Sequence, residues 1–236
     1  TDLLAVMEGL GRGTRDQGLL FSLNAHLWTN PIPILMYGSE EQRRKYLPPL
    51  CDGTLIGANA ASEPDSGSDV FSMRTRAVRD GDCYVLNGSK TFVSNAPFAD
   101  MILVYALTDP ARGALGGVSV FIVERGSPGL AVGKPIEKMG LRSAPFAEVF
   151  LDGCRVPAAN LLGDEGMGLR IALSGLEGGR IGIASQSVGM ARAAFDAALA
   201  YSKERQAFGQ PIFRHQAVQF KLADMATQIE AARSEE

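Results

Sequence analysis

Cysteine is scarce in this sequence, at three residues in 236, and histidine is scarcer at two. Cys51, Cys83 and Cys154 are odd in number and far apart, so they offer no metal-ligand spacing. With only His26 and His215 beside them, no zinc or other metal site is expected. A reducing cytoplasm is the compartment that fits such cysteine usage. A basic excess is also missing: 23 Lys and Arg stand against 26 Asp and Glu, a net charge of −3, which argues against a nucleic-acid partner. That balance still leaves room for a local basic site facing a phosphorylated ligand. No apolar run reaches membrane-spanning length and no leader pattern opens the chain, so a soluble, intracellular protein is expected.

What is present suits a globular fold. Hydrophobic residues make up 46% and charged residues 21%, enough for a sizeable core in one or two domains of roughly 100–200 residues each. Thr1 is no initiator methionine, and the chain stops at Ser234-Glu235-Glu236 inside a helical pattern. A fragment of a longer protein is therefore expected.

Residues 1 to about 50 carry helical spacing, with Leu3, Leu4, Met7 and Leu10 first and a second apolar stretch from Leu19 to Trp28. Ser39 followed by Gln42 predicts a capping box, and Pro48-Pro49 predicts the end of that helix. From about 54 to 160 the pattern turns to strands. Asp80-Gly81 and Asn87-Gly88 are hairpin signals that separate "FSMRTRAV", "CYVL" and "KTFVS" into a three-strand meander. "MILVYAL", "VSVFIVE" and "AEVFL" supply further strands. From about 164, Ile181, Ala184, Val188, Ala191, Phe195 and Ala198 follow helical spacing, as do Val218, Leu222, Met225, Ile229 and Ala232. "FGQPI" divides these two long helices. Their stripes need a partner, either further helices or another subunit.

Three segments carry a resemblance. "NAASEPDSGSDVFSMRTRAV", then "YVLNGSKTFVSNAPFADMILVYA", then "RQAFGQPIFRHQAVQFKLADM" resemble the acyl-CoA dehydrogenase family, in collinear order over almost the whole chain. The resemblance implies an α+β multidomain fold: a partial N-terminal helical domain (1–52), a central antiparallel β-barrel or sandwich (53–162) and a partial C-terminal four-helix bundle (163–236). It implies FAD as cofactor, a tetramer or dimer, and α,β-dehydrogenation of an acyl thioester with an electron-transfer flavoprotein or another acceptor. The chemistry accounts for the cofactor. A carboxylate base must take the proton beside the thioester, and the departing hydride needs an acceptor that no side chain supplies.

By resemblance, Asn59, Ala60, Ala61 and Ser62 contact the flavin ring, and Ser68 touches the flavin or the thioester arm, with Gly67 permitting close approach. Read alone, the same stretch is an acidic surface turn; a calcium loop on Asp65 and Asp69 lacks its further acidic ligands. Phe92, Val93 and Ser94 match the family's aromatic and hydroxyl beside the flavin, with Phe92 where tryptophan is commoner, and Phe92 alone is also ordinary β core. Arg205 is matched to the FAD pyrophosphate across a subunit interface, and Phe208, His215 and Gln216 to the adenine half. An arginine fork suits a phosphate, although an arginine there also complements a helix dipole. Glu177 and Arg180 fall where the family contacts substrate, or they form a solvated helix end.

The family's catalytic glutamate lies beyond residue 236 in most members, and in a minority immediately before the residue matching Arg180. Here that position is Gly179. Glu177, two residues earlier, lies about 200° around a helix, so no base is expected within the chain. Alternatives are a dehydrogenase of intermediates on an acyl carrier protein, a non-catalytic flavin- or acyl-binding relative, and a β-barrel binding module flanked by helices.

Overall fold

The computed structural model describes residues 2–234, apart from the side chains of Phe71 and Ala114. Thr1, Glu235 and Glu236, at the suspected chain interruptions, lie outside the described residues. Four helices come first: α1 (Asp2–Gly13), α2 (Gln17–Thr29), α3 (Pro31–Tyr37) and α4 (Glu40–Asp52). Strands β1 (Gly57–Ala60), β2 (Arg76–Asp80), β3 (Cys83–Ser94), β4 (Met101–Leu107), β5 (Val118–Glu124), β6 (Leu130–Val132), β7 (Phe146–Pro157) and β8 (Leu161–Leu162) follow. The chain ends with α5 (Gly168–Glu204), the short strands β9 (Gln206–Ala207) and β10 (Gln210–Pro211), and α6 (Gln216–Ser234). Two compact units result, Phe21–Gly179 and Thr1–Leu20 with Arg180–Glu236.

The first of these units is organised around β4 and β5, which pair antiparallel from Met101↔Glu124 to Leu107↔Val118. Side chains alternate across a strand, and here both faces are covered. Ile102, Val104, Phe121 and Val123 pack with Tyr84 and Leu86 of β3 and Val149 and Leu151 of β7. Met101, Leu103, Tyr105, Val120 and Ile122 pack instead with Ile34 of α3, Tyr46 and Leu50 of α4, and Ile171 of α5. Burial on two faces is why these runs are continuously apolar instead of alternating. Each fully buried large side chain contributes roughly 1.5–3 kcal/mol, so this pair anchors the unit.

The sheet runs β6-β7-β3-β2-β4-β5-β8, with β1 added to β4. It is mostly antiparallel, but β1 lies parallel to β4, from Gly57↔Met101 to Ala60↔Val104. His26 helps to fix β1: the Gly57 N–H donates to its Nδ1 at 3.0 Å, which leaves Nε2 as the donor to the Leu50 carbonyl, also at 3.0 Å.

The Ser39 capping box forms with both arms. Three other expectations are corrected. α4 runs through Pro48 and Pro49 to Asp52 and ends at Gly53 in the left-handed region. Proline disfavours such a turn, but the burial of Tyr46 and Leu50 on either side of the pair holds it. Asn87-Gly88 is a bulge inside one continuous strand β3, not a hairpin, so two strands replace the expected three. The glycine is needed for close approach, since a Cβ at Gly88 would lie 2.4 Å from Thr75 Oγ1. In "FSMRTRAV" only Arg76 onward is strand, because Val70–Ser72 forms a 3-10 turn.

In the second unit, α5 and α6 lie side by side along the predicted stripes. Val188 and Ile229 are buried there, and Ala184, Ala191, Phe195 and Met225 join them around an apolar groove of about 860 Å³. Ion pairs Arg12–Asp196 (2.7 Å) and Arg233–Glu8 (2.9 Å) tie α1 to both helices. Exposed pairs of this kind contribute about 0–1 kcal/mol each. Arg205–Phe208 lie beyond the first of these helices. α5 ends at Glu204, and β9 pairs with β10 across Phe208 (φ 52°) and Gly209 (φ 76°). Two consecutive positive φ values make a tight hairpin turn, with Gly209 suited to its position and Phe208 not. Among the described residues, no helix is long and apolar enough to cross a membrane.

Candidate functional site

β1 and the end of β3 form the wall of a cavity of about 150 Å³, lined by Asn59, Phe92, Ser94 and Asn95, with Ala25 and Thr29 of α2. Phe92 is its unusual member. It is 63% exposed and has φ 54°, a conformation that costs an L-residue about 1–2 kcal/mol. The ladder to β7 slips between Lys90 and Val93, and this bulge turns the ring outward. Phe146 meets the ring edge-on at 5.6 Å. Val93 points the opposite way into the core and is buried, so only its backbone can face a ligand.

Asn95 ends the segment with a second positive φ, 67°. It is buried, accepts from Ser22 Oγ at 2.7 Å, and donates through Nδ2 to the Ser22 carbonyl at 3.1 Å. On the β1 side, Asn59 Nδ2 donates to the Thr29 carbonyl at 3.4 Å. Tyr105 also meets Asn59; burial pushes its phenol up to about 12, and that contact pulls it back.

Ser62 joins the wall through the backbone, because the Thr91 N–H donates to its carbonyl at 3.0 Å. Beneath it lies a buried ion pair. Lys90 Nζ donates to Glu63 Oε1 at 2.8 Å and to the Ala61 carbonyl at 3.1 Å. Glu63 also accepts from Thr75 Oγ1 (2.5 Å), Thr75 N–H (3.0 Å) and Arg74 N–H (2.6 Å). Burial pushes the Glu63 carboxyl up, but these donors outweigh it and hold the group below its ordinary range. Burial lowers the Lys90 ammonium to about 8, with Glu63 opposing the fall.

The structure therefore brings Asn59, Ala60, Ala61, Ser62, Phe92, Val93 and Ser94 into one neighbourhood. Ser68 and Gly67 lie apart on an exposed loop, and a Cβ at Gly67 would touch nothing within 4 Å. Glu177 is exposed and lines a separate groove of about 470 Å³ with Met36, Tyr37, Leu115, Arg170 and Leu173. Arg180 is exposed on α5. In the helical unit, Phe208 is 96% exposed and stands edge-on to His215 at 5.8 Å, while His215 Nε2 pairs with the Ala207 carbonyl at 3.2 Å. Arg205 and Gln216 are exposed nearby in the sequence, Gln216 opening α6.

Sequence reasoning missed Ala25, Thr29 and Asn95 as cavity residues, and the Lys90–Glu63 pair. Asn95 was accessible through the "SNA" turn, since Asn tolerates a left-handed backbone. Among the described residues, no cluster of three or more His, Cys, Asp or Glu could hold a metal ion.

The β domain is mostly antiparallel and carries an exposed aromatic beside hydroxyls at its cavity. Family models for the acyl-CoA dehydrogenase N-terminal domain match residues 1–54, the middle domain residues 58–154, and the C-terminal domain residues 166–235. The chain belongs to the acyl-CoA dehydrogenase family. It is 47% identical over 231 residues to an acyl-CoA dehydrogenase of Bacillus subtilis, covering 98% of this chain and 60% of that protein. Butyryl-CoA dehydrogenase of Megasphaera elsdenii superposes with a TM-score of 0.94 at 42% identity, over 98% of this chain and 60% of that one. The prolyl acyl carrier protein oxidase AnaB superposes with a TM-score of 0.95 at 42% identity, over 98% and 61%. The chain thus spans about three-fifths of the length of these relatives.

Proposed function

We propose that this chain carries the flavin-holding part of an FAD-dependent dehydrogenase that converts a saturated acyl thioester to a 2-enoyl thioester. The observation that carries the reading is Phe92, an aromatic held outward at positive φ beside Ser94 and Asn59. Strained, exposed aromatics persist where surroundings over-determine them, and such places are commonly functional. The residues fit a flavin: Phe92 gives a π-face, and Ser94, Ser62 and Asn59 give polar atoms for a heterocycle's edge. The cavity, of about 150 Å³, would hold part of a three-ring system against Asn59, Phe92 and Ser94.

When bound, the flavin supplies the two-electron acceptor that side chains lack. The protein's part is placement. Ala25 and Thr29 exclude water from one flank, and Ser62 and Ser94 orient the ring. Ser68 reaches the flavin or the thioester arm, and Glu177 and Arg180 meet the substrate, Glu177 from its apolar groove. Arg205 binds the pyrophosphate, and Phe208, His215 and Gln216 hold the adenine half, contributed from another subunit of a dimer or tetramer. The proton beside the thioester carbonyl passes to a carboxylate outside these residues, because Gly179 has no side chain to receive it. The domains divide at 1–52, 53–162 and 163–236, the protein works in the cytoplasm, and an electron-transfer flavoprotein or another acceptor reoxidises it.

A second reading keeps the chemistry and changes the carrier. The likeness to AnaB, named for an acyl carrier protein substrate, matches that to butyryl-CoA dehydrogenase. The test is purification of the intact protein with its flavin spectrum, followed by anaerobic titration with acyl-CoA and with acyl-carrier thioesters. Bleaching by one of them is the expected result. A colourless protein, or a flavin that neither thioester reduces, refutes the reading.

A further inference from the structure

Under the proposed flavin wall lies a pair of full charges that the chemistry above does not use. Lys90 is 0% exposed and Glu63 7%, and desolvating both is so costly that an apolar pair of equal volume is often at least as stable. Stability alone therefore does not account for the pair. Its geometry does something more specific. The ammonium holds the Ala61 carbonyl at 3.1 Å, and the next carbonyl, of Ser62, is held by the Thr91 N–H at 3.0 Å. A trans peptide points its C=O and N–H in opposite directions. Fixing the Ala61 carbonyl on Lys90 thus turns the Ser62 N–H away from the buried pair. Lys90 is also the last residue in register before the bulge that presents Phe92. One side chain thereby sets both strips of the wall.

We propose that Lys90, acting through Glu63 and the Ala61 carbonyl, is a positioning residue that preforms the Ser62 and Phe92 faces for the flavin. The inference rests on the reading of that wall as the flavin site. Thr75 belongs to the device, since it gives Glu63 both its hydroxyl and its N–H, and so keeps the carboxylate aimed at Lys90.

The test compares the intact protein with the double variant Lys90→Met/Glu63→Gln and with Thr75→Val, measuring the FAD dissociation constant, the fine structure of the bound flavin's visible band, and the melting temperature without FAD. The double variant removes both charges together, so it is expected to fold, with a somewhat lower melting temperature because an amide cannot accept from both the Arg74 and Thr75 N–H groups and the Ala61 carbonyl loses its donor. Its FAD affinity is expected to fall about tenfold, or about 1.4 kcal/mol, with a broadened flavin band. Thr75→Val keeps both charges and guards against misfolding of the double variant; it is expected to weaken FAD by a smaller factor, about threefold, equivalent to about 0.65 kcal/mol. A folded double variant that binds FAD within twofold of the parent, with an unchanged spectrum, overturns the positioning role and leaves the wall standing. Unchanged binding by Thr75→Val also counts against it. A parent protein that binds no FAD overturns the wall and this proposal together.

Discussion

Gly178 and Gly179 are neighbours in α5, yet alanine at the two positions should act in opposite directions. In a helix interior Ala is favoured over Gly by about 0.8–1.0 kcal/mol. At Gly179 a Cβ would meet Trp28 Cβ at 3.7 Å, an ordinary contact. Gly179→Ala should therefore stabilise by about 0.5–1 kcal/mol. At Gly178 the same atom would sit 2.2 Å from Trp28 Cζ3 and 2.4 Å from Cε3. The obstacle is a rigid indole whose Nε1 is buried, so relief requires α2 to move. Overpacking of this kind costs about 1–3 kcal/mol. Set against the helix gain, Gly178→Ala should destabilise by up to about 2 kcal/mol. At about 2–4 °C per kcal/mol for a chain of this size, thermal denaturation separates the two variants clearly. α2 also supplies Ala25 and Thr29 to the cavity wall, so Gly178→Ala should weaken FAD binding while Gly179→Ala leaves it unchanged. If Gly178→Ala melts at or above the parent temperature, Trp28 is not wedged against α5 and the reasoning is wrong.

Three further outcomes are expected. Phe92→Gly should stabilise the FAD-free protein by about 1 kcal/mol by relieving the positive φ, while FAD affinity falls about fivefold with loss of the π-face; paired melting and titration experiments check both signs. Asn95→Ala strands Ser22 and should cost about 2 kcal/mol for two buried hydrogen bonds, seen in denaturant unfolding; a loss below about 0.5 kcal/mol would show that these bonds contribute little. Lys90 gives a pH test. Its folded value of about 8 lies below the ordinary 10.5, so between those limits the unfolded chain holds the extra proton, and this group's contribution rises with pH. The stability gap between the parent and Lys90→Met should widen by up to about 3 kcal/mol from pH 8 to 10.5; a gap that narrows over that window contradicts the burial-dominated pKa.

Much of the architecture was legible because local signals and burial agreed. β4 and β5 could be recognised as strands from continuous apolar runs, and the stripes of α5 and α6 from helical spacing. Where local grammar and packing diverged, packing prevailed. Asn87-Gly88 has the composition of a hairpin, but Gly88 is required by the approach of Thr75, and the strand continues. Pro48-Pro49 should stop a helix, yet burial of Tyr46 and Leu50 carries it to Asp52. The site was half legible for the same reason. Phe92 and Ser94 lie in a motif, whereas Ala25 and Thr29 reach the cavity from α2, and no spacing rule records that contact.

The segment from Lys90 to Asn95 unites these observations. Within six residues it holds a fully buried cation, a bulge, and two non-glycine residues at positive φ. Each such backbone conformation costs about 1–3 kcal/mol and survives only when its surroundings permit nothing else. Here the constraints come from separate parts of the chain. Glu63 holds Lys90, Ser62 holds the Thr91 N–H, Ser22 holds the Asn95 amide, and the Pro145 carbonyl takes the Asn95 N–H at 2.9 Å. A strand that only had to fill the core would need none of them, since Val93 is the one residue of the segment that joins the apolar core cluster. The strain is concentrated where an aromatic and a hydroxyl are turned out to a cavity, which is what the proposed flavin wall asks of this segment.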